Sequence, residues 1–168
     1  PPRQRAGGGR LAIEREELPS GSAARLPFGD LPEQVADALD PSPFIESDDP
    51  GIVGTARAVV AGETDPVRAA RLLVDWVGSN LSQQPALTVP SAREVLASRR
   101  GDCNEHAVLL AALARAAGIP ARVVAGAVWA EDGFLYHAWV DLWLGRWTSA
   151  DAVFRQMPAD RSEEHTSE

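Results

Sequence analysis

Residues Val108 to Ala117 read Val-Leu-Leu-Ala-Ala-Leu-Ala-Arg-Ala-Ala, apolar on almost every face. A helix that is apolar all round has to be buried. This stretch must therefore run through the centre of whatever the chain folds into. Its start is clearly marked. Asp102 is placed to accept hydrogen bonds from the unpaired amides of the first turn, and Glu105 is placed to reach back and complete a capping box. Its end is marked as well. Gly118 stands where a left-handed residue closes a helix, and Pro120 prevents continuation.

The first position of that helix holds Cys103, the only cysteine of the chain. The helix dipole and the free amides favour a thiolate, so the cysteine pKa is expected to fall. The thiolate is the nucleophile, and the same amides can stabilise an oxyanion on a bound carbonyl. Most free cysteines are buried core residues, but few of those open a helix. A single cysteine excludes an internal disulfide framework and a multi-cysteine zinc site.

Charge narrows the function further. The chain of 168 residues carries a formal charge of −8, all its basic residues are arginine, and they form no cluster. Nucleic-acid binding needs concentrated basic side chains and is not expected. The length suits one domain with a sizeable core. No apolar run reaches the roughly 20 residues that span a bilayer. The chain begins at Pro1 rather than methionine, so the lack of a visible signal peptide carries no weight. At the other end, Arg161 to Glu168 reads like a translated sequencing adapter. That segment, with His165, is expected to be foreign to the natural chain and is left out of the fold.

Residues 1–44 read as a linker or part of a preceding region, with a short strand at Leu11 to Ile13 and a short helix at Leu31 to Leu39. Ile52 to Ala61 reads as a helix. Asp65-Pro66 opens a stronger one, along which Val67, Ala70, Leu73, Val74 and Val77 follow helical spacing. Gly78 to Val89 is expected to be a loop. Ser91 and Glu94 form a capping box for a helix over Ala92 to Ala97. After Pro120 the period changes. Arg122 to Trp129 reads as a strand, Glu131-Asp132-Gly133 as a hairpin turn, Phe134 to Leu144 as a second strand, and Arg146 to Ala150 as a third. Helices followed by an antiparallel meander predict an α+β fold.

A cysteine nucleophile needs a base. His137, in the second strand, shares a face with Leu135, Trp139 and Asp141. His106 is a rival, but it lies one helical turn from Cys103, beside the thiol rather than across a substrate from it. Asp151 follows the third strand and can approach His137 to orient the imidazole; Asp141 is a rival acid. Zinc held by Cys103, His106 and His137 lacks the usual tight spacing. Trp129, Trp139, Trp143 and Trp147 read as core and cleft walls. Asn80, Gln83 and Gln84 are candidates for a second oxyanion donor.

Gly101-Asp102-Cys103, then Arg115-Ala116-Ala117-Gly118-Ile119-Pro120-Ala121-Arg122-Val123-Val124, then Tyr136-His137-Ala138-Trp139-Val140, then Trp147 with Asp151, together resemble the transglutaminase-like superfamily of papain-like cysteine enzymes. The resemblance to its bacterial members is specific over Ser91 to Asp160. It implies a papain-like core in which a helix carrying the cysteine packs on an antiparallel sheet. It implies a Cys103, His137, Asp151 triad, acyl transfer through a thioester, a peptide or protein substrate and no cofactor. It sets a catalytic domain at 45–160, which the family pattern would continue past Asp160, and it favours the cell envelope or periplasm. One departure is that the acid is followed by Ala152-Val153 where the family has Pro-Thr. The alternative is an inactive interaction module on the same fold.

Overall fold

The computed structural model of the chain describes residues 4–7, 10–13, 17–18, 24–84, 91–130 and 133–159. The expected turn residues Glu131 and Asp132, most of the loop before Ser91 and the adapter-like tail lie outside them.

Near the N-terminus, β1 (Gln4–Gly7) and β2 (Arg10–Ile13) pair as an antiparallel hairpin, so the strand expected at Leu11 to Ile13 is present. The helix expected over Leu31 to Leu39 is broken in two, a four-residue α1 (Glu33–Ala36) and a 3-10 turn over Asp37–Leu39. Of three further helices, two start at the capping residues read from the sequence, and one is capped by a residue not read as a cap. In α2 (Pro50–Val60) the Asp49 carboxylate accepts from Gly51 and Ile52. In α3 (Pro66–Asn80) Asp65 does the same for Val67 and Arg68. In α4 (Ala92–Ser98) Ser91 and Glu94 complete their capping box. Each such cap satisfies amides that have no partner within the helix and stabilises it by about 1 kcal/mol.

One expectation fails. Gly78 does not end α3; the helix runs on to Asn80, whose side-chain amide bonds to the Trp76 carbonyl at 2.9 Å. Glycine is required there for space. A Cβ at Gly78 would lie 2.4 Å from the Ala152 carbonyl oxygen and 2.4 Å from Arg155 Cγ. The turn after the last strand rests directly on the helix backbone at this point.

Beyond α3, the two-residue strands β3 (Ser82–Gln83) and β4 (Arg100–Gly101) pair in parallel. The central helix α5 (Cys103–Ala116) follows β4 at once. It packs on α2, α3, α4 and the main sheet. Leu109, Leu110 and Leu113 are fully buried, and each contributes about 1.5–3 kcal/mol relative to an exposed side chain. The helix ends as expected, with Gly118 at φ +82°.

The main sheet is antiparallel, in the order β5 (Ala121–Ala130), β6 (Gly133–Trp143), β7 (Trp147–Ala150). Its register pairs Gly126 with His137, and Val140 with Ala150. Ala138, Val140 and Leu142 face α5 and are buried. The other face of β6 carries Leu135, His137, Trp139 and Asp141. Leu135 is 54% exposed while His137 is 7% exposed, so that face is closed only around the histidine. The fold is the expected α+β arrangement of helices packed against an antiparallel sheet.

Candidate active site

Cys103 opens α5, half-buried at the end of the central helix. The capping box is formed as the sequence predicts. The Asp102 carboxylate accepts from Asn104 and Glu105 amides, and Glu105 Oε2 accepts from the Asp102 amide at 2.8 Å. The returning Glu105 side chain passes over Gly101, where a Cβ would meet Glu105 Cβ at 2.1 Å. Glu105 is itself buried, which pushes its carboxyl pKa up, helped by the neighbouring Asp102 carboxylate, while the Asp102 amide opposes the rise.

The thiolate of Cys103 is favoured by the backbone amides of Ala138, Cys103 itself and Asn104. β7 pairs with β6 only as far as Val140, and beyond that point the start of α5 meets β6, where Tyr136 bonds to Asn104. Ala138, whose amide favours the thiolate, adjoins His137 in β6. The amides favour thiolate, but burial outweighs them and the Asp102 carboxylate opposes it further, so the thiol pKa is pushed up. The expected fall does not occur in the resting site. A helix N-terminus lowers a thiol pKa where water still reaches it, and here the sheet covers much of it.

His137 and Asp151 are brought together. Their Nε2 and Oδ2 atoms are 2.6 Å apart, and both side chains are buried. A carboxylate only accepts, so Nε2 carries the proton and Nδ1 is left with a lone pair. Asp151 ends β7 in a tight turn closed by paired backbone hydrogen bonds with Gln156. Its second oxygen accepts from the amides of Val153 (2.9 Å) and Phe154 (3.3 Å). Both carboxylate oxygens are thus held. The same turn lays Phe154 against the imidazole, ring centroids 5.4 Å apart, while Trp139 stacks on it at 6.4 Å. With Ala152-Val153 in place of Pro-Thr the acid is still held, by the amides of Val153 and Phe154.

The rivals have other partners, although His106 stays near enough to Asp151 to feel its charge. Asp141 is paired with Arg122 at 2.9 Å on the outer part of the sheet. His106 is 3% exposed and its Nδ1 lies 2.6 Å from the Asp102 carbonyl. Among the described residues no group of three His, Cys, Asp or Glu side chains is arranged to hold a metal. Asn80 is engaged with Trp76. β3 sets Gln83 in register with Gly101, and Gln83 and Gln84 are exposed. Trp143 and Trp147 pack edge to face at 5.5 Å, remote in the register from His137.

Two features had no signal in the sequence. Phe154 reaches the imidazole only through the turn geometry. Tyr136, adjacent to His137 and mostly exposed, donates its hydroxyl to Asn104 Oδ1 at 2.7 Å. That bond ties β6 to the helix end beside the thiol.

Comparison with known proteins identifies the family and the fold. A family model described as the transglutaminase-like superfamily matches residues 53–152. Among solved structures, the chain is similar to a candidate cysteine protease from Cytophaga hutchinsonii (TM-score 0.68, 27% identity), over 74% of this chain and 43% of that one. It is similar also to the periplasmic domain of TgpA from Pseudomonas aeruginosa, solved with ethylmercury bound (TM-score 0.57, 26% identity), over 70% of this chain and 48% of that one. The chain thus spans less than half the length of either structure. No curated protein sequence matches it.

Proposed function

The chain belongs to the transglutaminase-like superfamily, and from that premise we propose that it is a cysteine-dependent enzyme acting on peptide or glutamine-type amides through a Cys103 thioester. The catalytic triad of this reading is Cys103, His137 and Asp151, in a catalytic domain at 45–160. The observation that carries it is the buried 2.6 Å His137–Asp151 pair, whose histidine lies on the strand against which the helix opened by Cys103 packs.

The raised thiol pKa sets the order of events. The resting cysteine is neutral, so its proton passes to His137 Nδ1 as the sulfur attacks the carbonyl carbon. Asp151 holds the ring so that Nδ1 keeps its lone pair, then stabilises the imidazolium. The oxyanion receives the Cys103 amide. Collapse breaks the carbon–nitrogen bond, and the Nδ1 proton leaves on the amine. Water or a second amine, deprotonated by His137, then attacks the thioester and frees the thiol. We favour water. The Cytophaga relative is described as a candidate cysteine protease. The compartment that fits is the cell envelope, since the TgpA relative is a periplasmic domain; no helix among the described residues is long and apolar enough to cross a membrane.

The test is intact-protein mass spectrometry on acid-quenched reactions with a library of peptide amides. A hydroxylamine-sensitive acyl adduct on wild type, absent in Cys103→Ser and His137→Ala, is expected. The proposal fails if no adduct forms with any peptide amide, or if adducts form equally in His137→Ala.

A further inference from the structure

We propose that His106 is a positioning residue that holds and polarises the Asp102–Cys103 peptide group, and so strengthens the amide that receives the oxyanion. This rests on the reading of Cys103 as the nucleophile given above.

The Asp102 carbonyl oxygen accepts twice from one residue. The His106 amide reaches it at 3.1 Å, an ordinary helical bond, and the His106 ring reaches it through Nδ1 at 2.6 Å. A carbonyl only accepts, so Nδ1 carries the proton. The second bond is one that a helix does not need. A peptide group is a single conjugated unit. Drawing electron density onto its oxygen from two donors leaves the N–H on the other side more acidic, and hydrogen bonds in series reinforce one another.

The N–H on the other side belongs to Cys103. It is also the amide this helix end leaves over. Four amides at a helix start lack intrahelical partners. Here the Asp102 amide is taken by Glu105, and those of Asn104 and Glu105 by the Asp102 carboxylate. The Cys103 amide lies beside its own sulfur, where a tetrahedral oxyanion would form. The capping box spends the other three amides on structure, and His106 tunes the one reserved for chemistry. His106 itself has no place in the proton path, which Asp151 and His137 already supply. Burying an imidazole without a stabilising purpose would be a cost.

The chain's single cysteine makes the test direct. Labelling with 15N-cysteine gives one backbone amide signal, that of Cys103. Asparagine places a side-chain NH2 where the imidazole has Nδ1, so His106→Asn keeps the donor; His106→Leu and His106→Ala remove it. The Cys103 amide nitrogen is expected to move upfield in the Leu and Ala variants and to stay near wild type in the Asn variant. In turnover, kcat should fall roughly tenfold in the Leu and Ala variants with KM unchanged, less than the 10²–10³ lost on deleting an oxyanion donor. His106→Asn should stay within about twofold of wild type, since it preserves the bond that stabilises the same transition state. An amide signal unmoved in both donorless variants overturns the inference, whether or not the wild type turns over. So does a loss that falls on KM alone, or one that His106→Asn shares. A wild type that never acylates would instead defeat the proposed function, and the amide signal would still decide whether His106 polarises this peptide.

Discussion

Replacing Asp151 by asparagine changes one atom and one charge, and the structure says which way the new amide must face. The Oδ1 atom accepts from the Val153 and Phe154 amides at 2.9 and 3.3 Å. Those two donors keep the asparagine oxygen on their side, so its NH2 group takes the Oδ2 position, 2.6 Å from His137 Nε2. Two donors cannot share that gap. The imidazole must present a lone pair at Nε2, which puts its proton on Nδ1 and removes the acceptor for the thiol proton. A wrong tautomer with intact geometry costs about 10⁴ in kcat, or about 5.5 kcal/mol in barrier height. Fold stability should change little, because every neighbour of Asp151 keeps a partner. The assay is the pre-steady-state rate of Cys103 acylation by a peptide p-nitrophenyl ester at pH 7, with thermal unfolding as the control for folding. The gap to wild type should narrow at high pH, where the thiolate forms without a base. Since burial pushes that titration up, the gap should persist above pH ~8.5, the ordinary thiol value. An asparagine variant acylated within tenfold of wild type at pH 7 would refute the role of Asp151.

In His137→Ala, iodoacetamide labelling of Cys103 should titrate above about 8.5, the free-thiol value, because burial and not the helix dipole governs the isolated thiol; a midpoint below that value would reverse the assignment. Gly101→Ala drives a Cβ into Glu105 and should cost about 1–3 kcal/mol of overpacking in urea unfolding, whereas a loss under ~0.5 kcal/mol, typical of an open surface site, would mean the capping box yields easily. Burial holds the His106 pKa below its ordinary 6.5, so the unfolded chain binds this proton first. The stability His106 contributes as a neutral ring is present above that pH and is lost as pH falls through 6.5 toward the folded value. Unfolding midpoints followed from pH 7.5 to 5 should therefore fall more steeply in wild type than in His106→Asn, and parallel curves would show that the ring is not held neutral.

The parts of this molecule that sequence reveals are those with local causes. Asp102, Glu105 and Gly118 act on amides within a turn or two of themselves, so the limits of α5 follow from spacing alone. Its burial follows from an apolar surface that has no polar side to turn outward. Gly78 misleads because its cause is remote. It is small to admit the Ala152 carbonyl and Arg155, and nothing in its neighbours announces that contact. The thiol pKa fails for a related reason. The helix dipole is a property of α5, while the burial that overrides it arises only when the rest of the chain packs around Cys103. Asp151 is intermediate. Its surroundings read as a turn after the third strand, from which it can approach His137, and the family resemblance implies it as the acid. The turn is real, but its amides clamp a buried carboxylate instead of facing water. Phe154 and the Tyr136–Asn104 bond depend on turn geometry and strand register together, so neither could be read in advance.

The contact between Gly101 and Glu105 bears on how such proteins are recognised. The signature around the cysteine joins two demands that do not depend on each other. Glycine, aspartate and glutamate answer to steric fit and to the caps of one helix; the thiol alone answers to reactivity. A descendant that lost its cysteine would still be held to the other three, since any larger residue at 101 collides with the returning glutamate whatever stands at 103. A pattern search keyed to this segment therefore retrieves an architecture, and a pseudoenzyme would score almost as well as an active one. What such a search also misses is the turn that holds Asp151, nearly fifty positions downstream and spelled in backbone amides that no alphabet of side chains records.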